Sequence, residues 1–300
     1  MDGILIIDKP AGITSHDVVS RVRRILKTKR VGHTGTLDPF ATGVVVVLVG
    51  QATRLAQFLD KDEKEYEATL RFGFETDTGD LTGSPKPHVP GPKSVTVDNV
   101  EAVLPSFRGA IEQVPPMYSA KKIDGKKLYE SARKGIDVER KAANVAINSL
   151  EIIDGSAAGD LEAGTWDLGL RVSCSAGTYI RTLAEDIGRR IGVGAHLTEL
   201  RRTRAGKFGI GESITIEQLD ALPDPLAALV DMRTAVSHLP GFVLAEDRVG
   251  KTKSGLSTRV YDTEFTDGEP IRMLDPEENL IAIGFFDLSE NIIQPRVVLG

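Results

Sequence analysis

The chain has 300 residues, 41% hydrophobic and 27% charged, with a net charge of −6 at pH 7. That is enough apolar residue for a large core and one or two domains. The single cysteine, Cys174, excludes an internal disulfide framework, and no two of the five histidines stand at metal-ligand spacing on a helix, so no zinc site is expected.

In chain order, "GILIID" is β-rich and predicts a short buried strand that ends at "KPAG". The N-terminus before it lacks the basic front and the small-residue cleavage site of a signal peptide. No apolar run is long enough to span a bilayer. A cytoplasmic protein without membrane contact is therefore expected. "TSHDVVSRVRRILK" predicts a helix capped by Thr14 or Ser15, with Val18, Val22, Ile25 and Leu26 on one face and the arginines on the other. "GVVVVLVG" predicts a strand buried on both faces, "QATRLAQFL" a short helix, and "KEYEATLRFGFETD" an alternating strand. Residues 82–94 are proline- and glycine-rich and predict a loop; "TVDNVEAVLPSF" predicts a helix capped near Asp98.

The stretch from "AIEQVPPMYSAKK" to "LYESARKG" predicts a strand, a Pro-Pro bend, a turn at Asp124-Gly125 and an exposed helix. Its lysines and few large apolar residues suggest a protruding element. "TWDLGLRVSCSAG" reads as a half-buried strand, with Cys174 an inert apolar residue on it. "GTYIRTLAEDIGRRIG" predicts a helix and "HLTELRRTRAGKFG" a basic strand. The last sixty or so residues predict short strands and turns, a small β-rich second domain starting near residue 240. No internal repeat or low-complexity tract occurs.

Charge is unevenly spread. Residues 212–300 carry 7 Lys/Arg against 16 Asp/Glu, a net −9, which leaves +3 for residues 1–211. Three segments concentrate the positive charge: 21–30, 121–141 and 201–207. Separate basic patches on an acidic chain fit a defined polyanionic partner, although each could also be an ordinary solvated face.

The most unusual local sequence is Gly32 to Gly43, "GHTGTLDPFATG". It lacks the Gly-Lys-Ser/Thr ending of a phosphate-binding P-loop and the Gly-x-Gly-x-x-Gly order of a dinucleotide turn. By chemistry alone, Asp38 either caps backbone N–H groups ahead of Pro39 or serves as a reactive carboxylate.

Six strings, in order, resemble a known family. "GHTGTLDPFATGVVVV" is similar to the catalytic motif of the TruB-type tRNA pseudouridine synthases, in their bacterial form. "GILIIDKPAGITSHDVV", "KEYEATLRFGFETDTGD", "PPMYSAKKIDGKKLYESARKG", "CSAGTYIRTLAEDIG" and "GAHLTELRRTRAGKF" resemble the family's other motifs, across about residues 3 to 210. The resemblance implies an α+β fold: a mixed, mostly antiparallel central sheet with flanking helices, plus a small β-rich PUA-like C-terminal domain. It implies a catalytic domain over 1–239, with a thumb-like RNA-binding segment at about 115–141, and the small domain over 240–300.

It also implies an enzyme that converts uridine-55 in the T loop of tRNA to pseudouridine, with no cofactor and no metal. The target base must leave its stack, and a carboxylate must stand beside the sugar and base. On this resemblance Asp38 is the catalytic aspartate and Arg181 its partner. Tyr66 stacks on the flipped base, a use that suits a phenol's flat face and polar handle. His33 takes up the space the nucleotide vacates, and Tyr179 and Leu200 line the base pocket. Asp80 either contacts RNA or supports the active-site strand, and Lys9 and Pro10 shape the first turn. The basic segments at 21–30 and 115–141 are expected to meet tRNA phosphates. The acidic C-terminal domain complements phosphate poorly and is not expected to clamp RNA. No feature predicts an obligate protein partner, so a monomer is expected. An RNA-binding module without catalysis would suit the basic patches equally well. It would gain nothing from a buried Asp38 against a polyanion.

Overall fold

The structure is a computed structural model. It describes residues 1–60, 62–87, 94–119, 122–123, 126–128, 136, 138–155, 158–160, 165–261 and 263–299. Strand β1 (Gly3–Lys9) leads into helix α1 (Ser15–Ile25), β2 (Val31–Thr34) and β3 (Thr42–Val49). β1 and β3 pair antiparallel from Gly3↔Val49 to Lys9↔Gly43. Their side chains alternate between two cores. Leu5, Ile7, Val45, Val47 and Val49 enter the main core, whereas Ile4, Ile6, Val44, Val46 and Leu48 enter a second one. An unbroken valine run is what a strand with no solvent face requires.

α1 starts at Thr14, whose hydroxyl accepts from Asp17 N at 3.1 Å while Asp17 Oδ2 accepts from Thr14 N at 2.9 Å. This reciprocal cap fixes the helix start. Val18, Val19, Val22 and Leu26 are buried, and Arg24 faces outward. The helix expected after β3 is present as a 3-10 helix, Gly50–Phe58. Ala52, Leu55 and Phe58 stand three residues apart, the spacing that lines up side chains in that tighter helix.

β4 (Lys64–Phe72) alternates as expected, with Tyr66, Ala68, Leu70 and Phe72 inward. After β5 (Ser94–Thr96), helix α2 (Val97–Val103) is capped by Thr96 together with Asn99, not by Asp98. A threonine in extended backbone can bond the third helical N–H, and Asp98 already lies inside the first turn. β6 (Gly109–Gln113) is an edge strand. β7 (Lys122–Ile123) and β8 (Lys126–Lys127) pair with Ile123 opposite Lys126. The expected turn residues Asp124 and Gly125, and most of the helix expected after them, lie outside the described residues, as does part of the 82–94 loop. β9 (Ala143–Gly155), β10 (Ala158–Asp160, paired with β5), β11 (Trp166–Cys174), α3 (Ile180–Ile191), β12 (Ala195–Ala205) and β13 (Phe208–Gly209) complete this part.

The main sheet runs β1-β3-β12-β4-β11-β9-β6, with β2 on β3 and β13 on β12. All its pairings are antiparallel except β3 with β12, joined at Arg201↔Thr42 and Arg202↔Gly43. That one parallel contact puts the strand after the Asp38 turn against the most basic strand. The β12 arginines are not a free surface patch. Arg201 pairs with Asp8 at 2.7 Å, Arg204 pairs with Glu63 at 2.5 Å, and Arg202 is buried. Carboxylates from neighbouring segments thus neutralise charge that composition alone assigns to the surface.

Beyond α4 (Ile216–Ala221) and α5 (Met232–Ala235) come β14 (Gly241–Val243), α6 (Glu246–Lys253) and β15 (Thr258–Arg259). β16 (Pro270–Leu274), β17 (Leu280–Asp287) and β18 (Ile292–Val298) follow, and the five strands form a sheet ordered β14-β16-β17-β18-β15. Leu274, Leu280, Ile283, Val297 and Leu299 share the second core with β1 and β3. A small third core holds Ile271, Met273 and Phe286. The whole is α+β.

Candidate active site

The turn between β2 and β3 is built by close approach. Gly43 has φ +102°, and a Cβ there would lie 2.2 Å from the Arg202 carbonyl oxygen. Only glycine lets β3 meet β12 at that point. The N-terminal motif braces the turn from the other side. Lys9 Nζ donates to the carbonyls of Pro10 (2.9 Å), Ile13 (2.8 Å) and Pro39 (3.3 Å). Gly12 N donates to the Pro39 carbonyl at 2.8 Å. Ser15 Oγ accepts from Leu37 N at 2.8 Å and donates to Leu37 O at 3.2 Å. Asp38 is thereby bracketed by fixed residues. Lys9 is wholly enclosed, and its burial pulls the ammonium down to about 8 against the raising effect of Asp38.

Arg181, in the first turn of α3, grips the aspartate with two nitrogens. Nε lies 2.9 Å from Asp38 Oδ2 and an Nη lies 3.2 Å from Oδ1. The remaining donors are also used. They reach the carbonyls of Thr78 and Tyr118, each at 2.7 Å, and stand 3.6 Å from Asp80 Oδ2. The guanidinium is 4% exposed, whereas 32% of the Asp38 side chain remains open. Burial pushes the Asp38 carboxyl above the usual aspartate range. Arg181 opposes this most strongly, the Asp80 charge adds to it, and Lys9 pulls down from farther away. The result is a rigid carboxylate, charge-paired on one side and open on the other.

The open side faces a cavity of about 240 Å³. Its walls include Asp38, Tyr66, Tyr179, Arg181, Leu200 and Arg202. Five of the residues expected from sequence therefore converge here. Tyr66 lies opposite Arg202 across β4 and β12, and the Arg202 guanidinium, which donates to the Val44 and Gly35 carbonyls, places its charge near the phenol. Burial raises the Tyr66 phenol, and Arg202 pulls it partway back. Tyr179 caps α3, and its backbone is held at both N and O by the Gln113 side chain, at 2.7 and 3.0 Å.

The other three expected residues stand behind the cavity. Asp80 is buried against Arg181, and its Oδ1 accepts from Thr78 Oγ1 at 2.8 Å and Thr82 N at 2.9 Å. It supports the guanidinium. Lys9 supports the turn. His33 sits on β2 opposite Val47, outside the cavity wall. Burial, with Arg202 and His16 adding to it, lowers its imidazole, which favours the neutral ring.

Arg202 and Gln113 were not singled out by sequence, and Ser15 only as a possible helix cap. For Arg202 a signal existed: it shares strand parity with Leu200, so a guanidinium on the buried face could have been expected. A larger groove, about 860 Å³, adjoins the cavity at Leu200. Of its charged walls, Glu67 pairs with Arg171, Asp167 with Arg71 and Arg201 with Asp8. The smaller cavity is where the paired Asp38 and the buried phenol meet. Among the described residues no group of His, Cys, Asp and Glu could hold a metal ion.

A family model for the N-terminal domain of TruB family pseudouridylate synthases matches residues 23–180, and one for the tRNA pseudouridylate synthase B C-terminal domain matches 181–230. The chain belongs to the TruB family. The second match covers α3, β12, β13 and α4, so it falls within the main sheet and the segment beyond it, ahead of the five-stranded sheet. Among TruB relatives, tRNA pseudouridine synthase B of Aromatoleum aromaticum is 48% identical over 85% of this chain and 80% of its own. The enzyme of that name from Geobacillus thermodenitrificans is 41% identical over 94% of each chain. Among solved structures, an H/ACA RNP bound to a substrate RNA containing 2′-deoxyuridine has a chain with TM-score 0.73 and 26% identity, covering 99% of this chain and 85% of that one. A chain of a Cbf5-Nop10-Gar1 complex gives TM-score 0.74 and 28% identity over 99% and 84%.

Proposed function

We propose that the protein isomerises uridine-55 in the T loop of tRNA to pseudouridine, with Asp38 as the reactive carboxylate. One observation carries this reading. Asp38, held by two nitrogens of a buried arginine, opens onto a cavity of about 240 Å³ walled by a phenol, a size suited to one base. The N1–C1′ bond breaks, the uracil turns within the cavity, C5 bonds to C1′, and the C5 proton is replaced by one on N1. Every atom of the nucleotide is retained and no electron is gained or lost, so the reaction calls for no cofactor.

Asp38 must be ionised to act as nucleophile or base, and Arg181 provides the countercharge that burial would otherwise deny it. Tyr66 offers the stacking face, Tyr179 and Leu200 close the pocket, and His33 enters the space the flipped nucleotide leaves. Exposed basic residues of 21–30 and the thumb-like 115–141 segment meet phosphates. Residues 240–300 form a PUA-like domain with no dominant part in RNA binding, and the enzyme works as a cytoplasmic monomer.

The test is incubation with an unmodified tRNA transcript. Pseudouridine is expected at one T-loop position, and Asp38→Asn is expected to abolish it while tRNA still binds. Normal turnover by Asp38→Asn would sink the role of Asp38. Binding of tRNA by the intact protein without isomerisation would leave an RNA-binding module instead.

A further inference from the structure

Several of the cavity's polar groups are committed to protein partners. Asp38 and Arg181 hold each other, and Arg202 donates to the Val44 and Gly35 carbonyls. Ser175 Oγ accepts from Ala146 N at 2.9 Å, and Thr178 Oγ1 donates to Ser175 O at 2.9 Å. Ser119 differs. Its side chain lines the same cavity and is 5% exposed, yet its Oγ has no hydrogen-bond partner among the described residues. A buried hydroxyl without a partner is costly and calls for an explanation. The position is also well fixed. The preceding residue, Tyr118, gives its carbonyl to Arg181 at 2.7 Å, so the guanidinium that holds Asp38 also pins the backbone that presents Ser119.

We infer that Ser119 Oγ hydrogen-bonds the uridine that enters the cavity, making it a substrate-contact residue at the root of the thumb-like segment. This rests on the proposed reaction. A hydroxyl can donate and accept, so its partner is either a uracil carbonyl or a ribose hydroxyl, two groups of one nucleotide. Such a contact completes the set of polar partners only when the base has left its stack. It therefore links recognition of an extruded uridine to the same element that orients Asp38.

The experiment compares the full chain with Ser119→Ala on a tRNA transcript. Loss of one neutral hydrogen bond predicts a roughly 3- to 10-fold fall in kcat/KM. Affinity for the same tRNA carrying a 2′-deoxy (tetrahydrofuran) abasic site at the target should be unchanged, because that site offers neither a uracil carbonyl nor a 2′-hydroxyl. With 2′-deoxyuridine at the target, a binding penalty that disappears assigns the contact to the sugar. One that persists assigns it to the base. Ser119→Cys, nearly isosteric but a weaker donor, should fall between serine and alanine, and stands in if the alanine variant folds poorly. Equal kcat/KM for wild type and Ser119→Ala, or an equal loss of affinity for abasic tRNA, would overturn the inference. A wild-type protein that makes no pseudouridine would instead remove the reaction on which it rests.

Discussion

Replacing Arg181 by Met keeps the aliphatic stem and removes the guanidinium. Four hydrogen bonds or ion-pair interactions of 2.7–3.2 Å disappear, two to Asp38 and one each to the Thr78 and Tyr118 carbonyls, along with the 3.6 Å approach to Asp80. Asp80 is then a buried carboxylate with no cation beside it, whereas Asp38 can still turn toward solvent. Breaking a buried pair in this way costs about 3–5 kcal/mol, measurable by urea unfolding near pH 7. The direction with pH follows from the same geometry. Without Arg181, burial and the mutual repulsion of the two carboxylates raise Asp38 further. A raised carboxyl contributes stability that is present below the ordinary aspartate value and is lost as pH climbs through the raised one. The variant's deficit should therefore grow between about pH 4 and neutrality. Activity should move oppositely, since the reaction needs the ionised form. The acid limb of the single-turnover rate profile should shift to higher pH and the rate should partly recover at alkaline pH. Adding Asp80→Asn removes the stranded charge and should restore part of the stability. An acid limb that stays in place in Arg181→Met would refute the claim that Arg181 keeps Asp38 ionised.

Lys9, lowered to about 8 by burial, binds fewer protons folded than unfolded between about pH 8 and 10.5, so wild-type stability should rise across that window. The rise should be on the order of 2–3 kcal/mol and should be missing from Lys9→Met when the two unfolding curves are compared pH by pH. Gly43→Ala should cost about 3 kcal/mol or more, because its Cβ meets the Arg202 carbonyl at a positive φ. Gly12→Ala has φ +86° but nothing within 4 Å and should cost only about 1–2 kcal/mol by the same assay. Lys27 and Lys29 are exposed, so their joint replacement by Gln should flatten the dependence of log K on log salt for tRNA by about 0.7–0.9 for each phosphate that is no longer neutralised. Arg201→Gln should leave that slope unchanged and shift stability by no more than about 1 kcal/mol, since Arg201 already faces Asp8.

The difference between the exposed lysines and Arg201 shows which kinds of structure the sequence carried. Local rules placed α1 and narrowed its cap to Thr14 or Ser15, and they placed the two-faced burial of β3 and the alternation of β4, because each depends on neighbours within one or two turns. The α2 cap was misplaced by two residues, since Thr96 and Asp98 are both good caps and backbone conformation decides between them. The β12 arginines failed for a different reason. "RRTR" has the composition of a phosphate-binding patch, and only knowledge of the facing strands shows that Asp8 and Glu63 neutralise two of them. The third, Arg202, lies opposite Tyr66 and faces the core, where it donates to the Gly35 carbonyl (3.0 Å) and the Val44 carbonyl (2.7 Å).

The candidate site follows the same division. Asp38, Tyr66, Tyr179, Arg181 and Leu200 came from family motifs, and all five line one cavity. What the motifs left out is the bracing between them: Ser15 on Leu37, Lys9 on Pro39, Gln113 on Tyr179, and Asp80 behind Arg181. These interactions join segments distant in sequence, and no spacing along the chain encodes them. They are also what a reactive carboxylate most needs. In the proposed reaction, a shift of an ångström at Asp38 would cost far more rate than any single surface contact with RNA. On this view the N-terminal strand and α1 serve catalysis by immobilising the turn, although neither puts a side chain into the cavity.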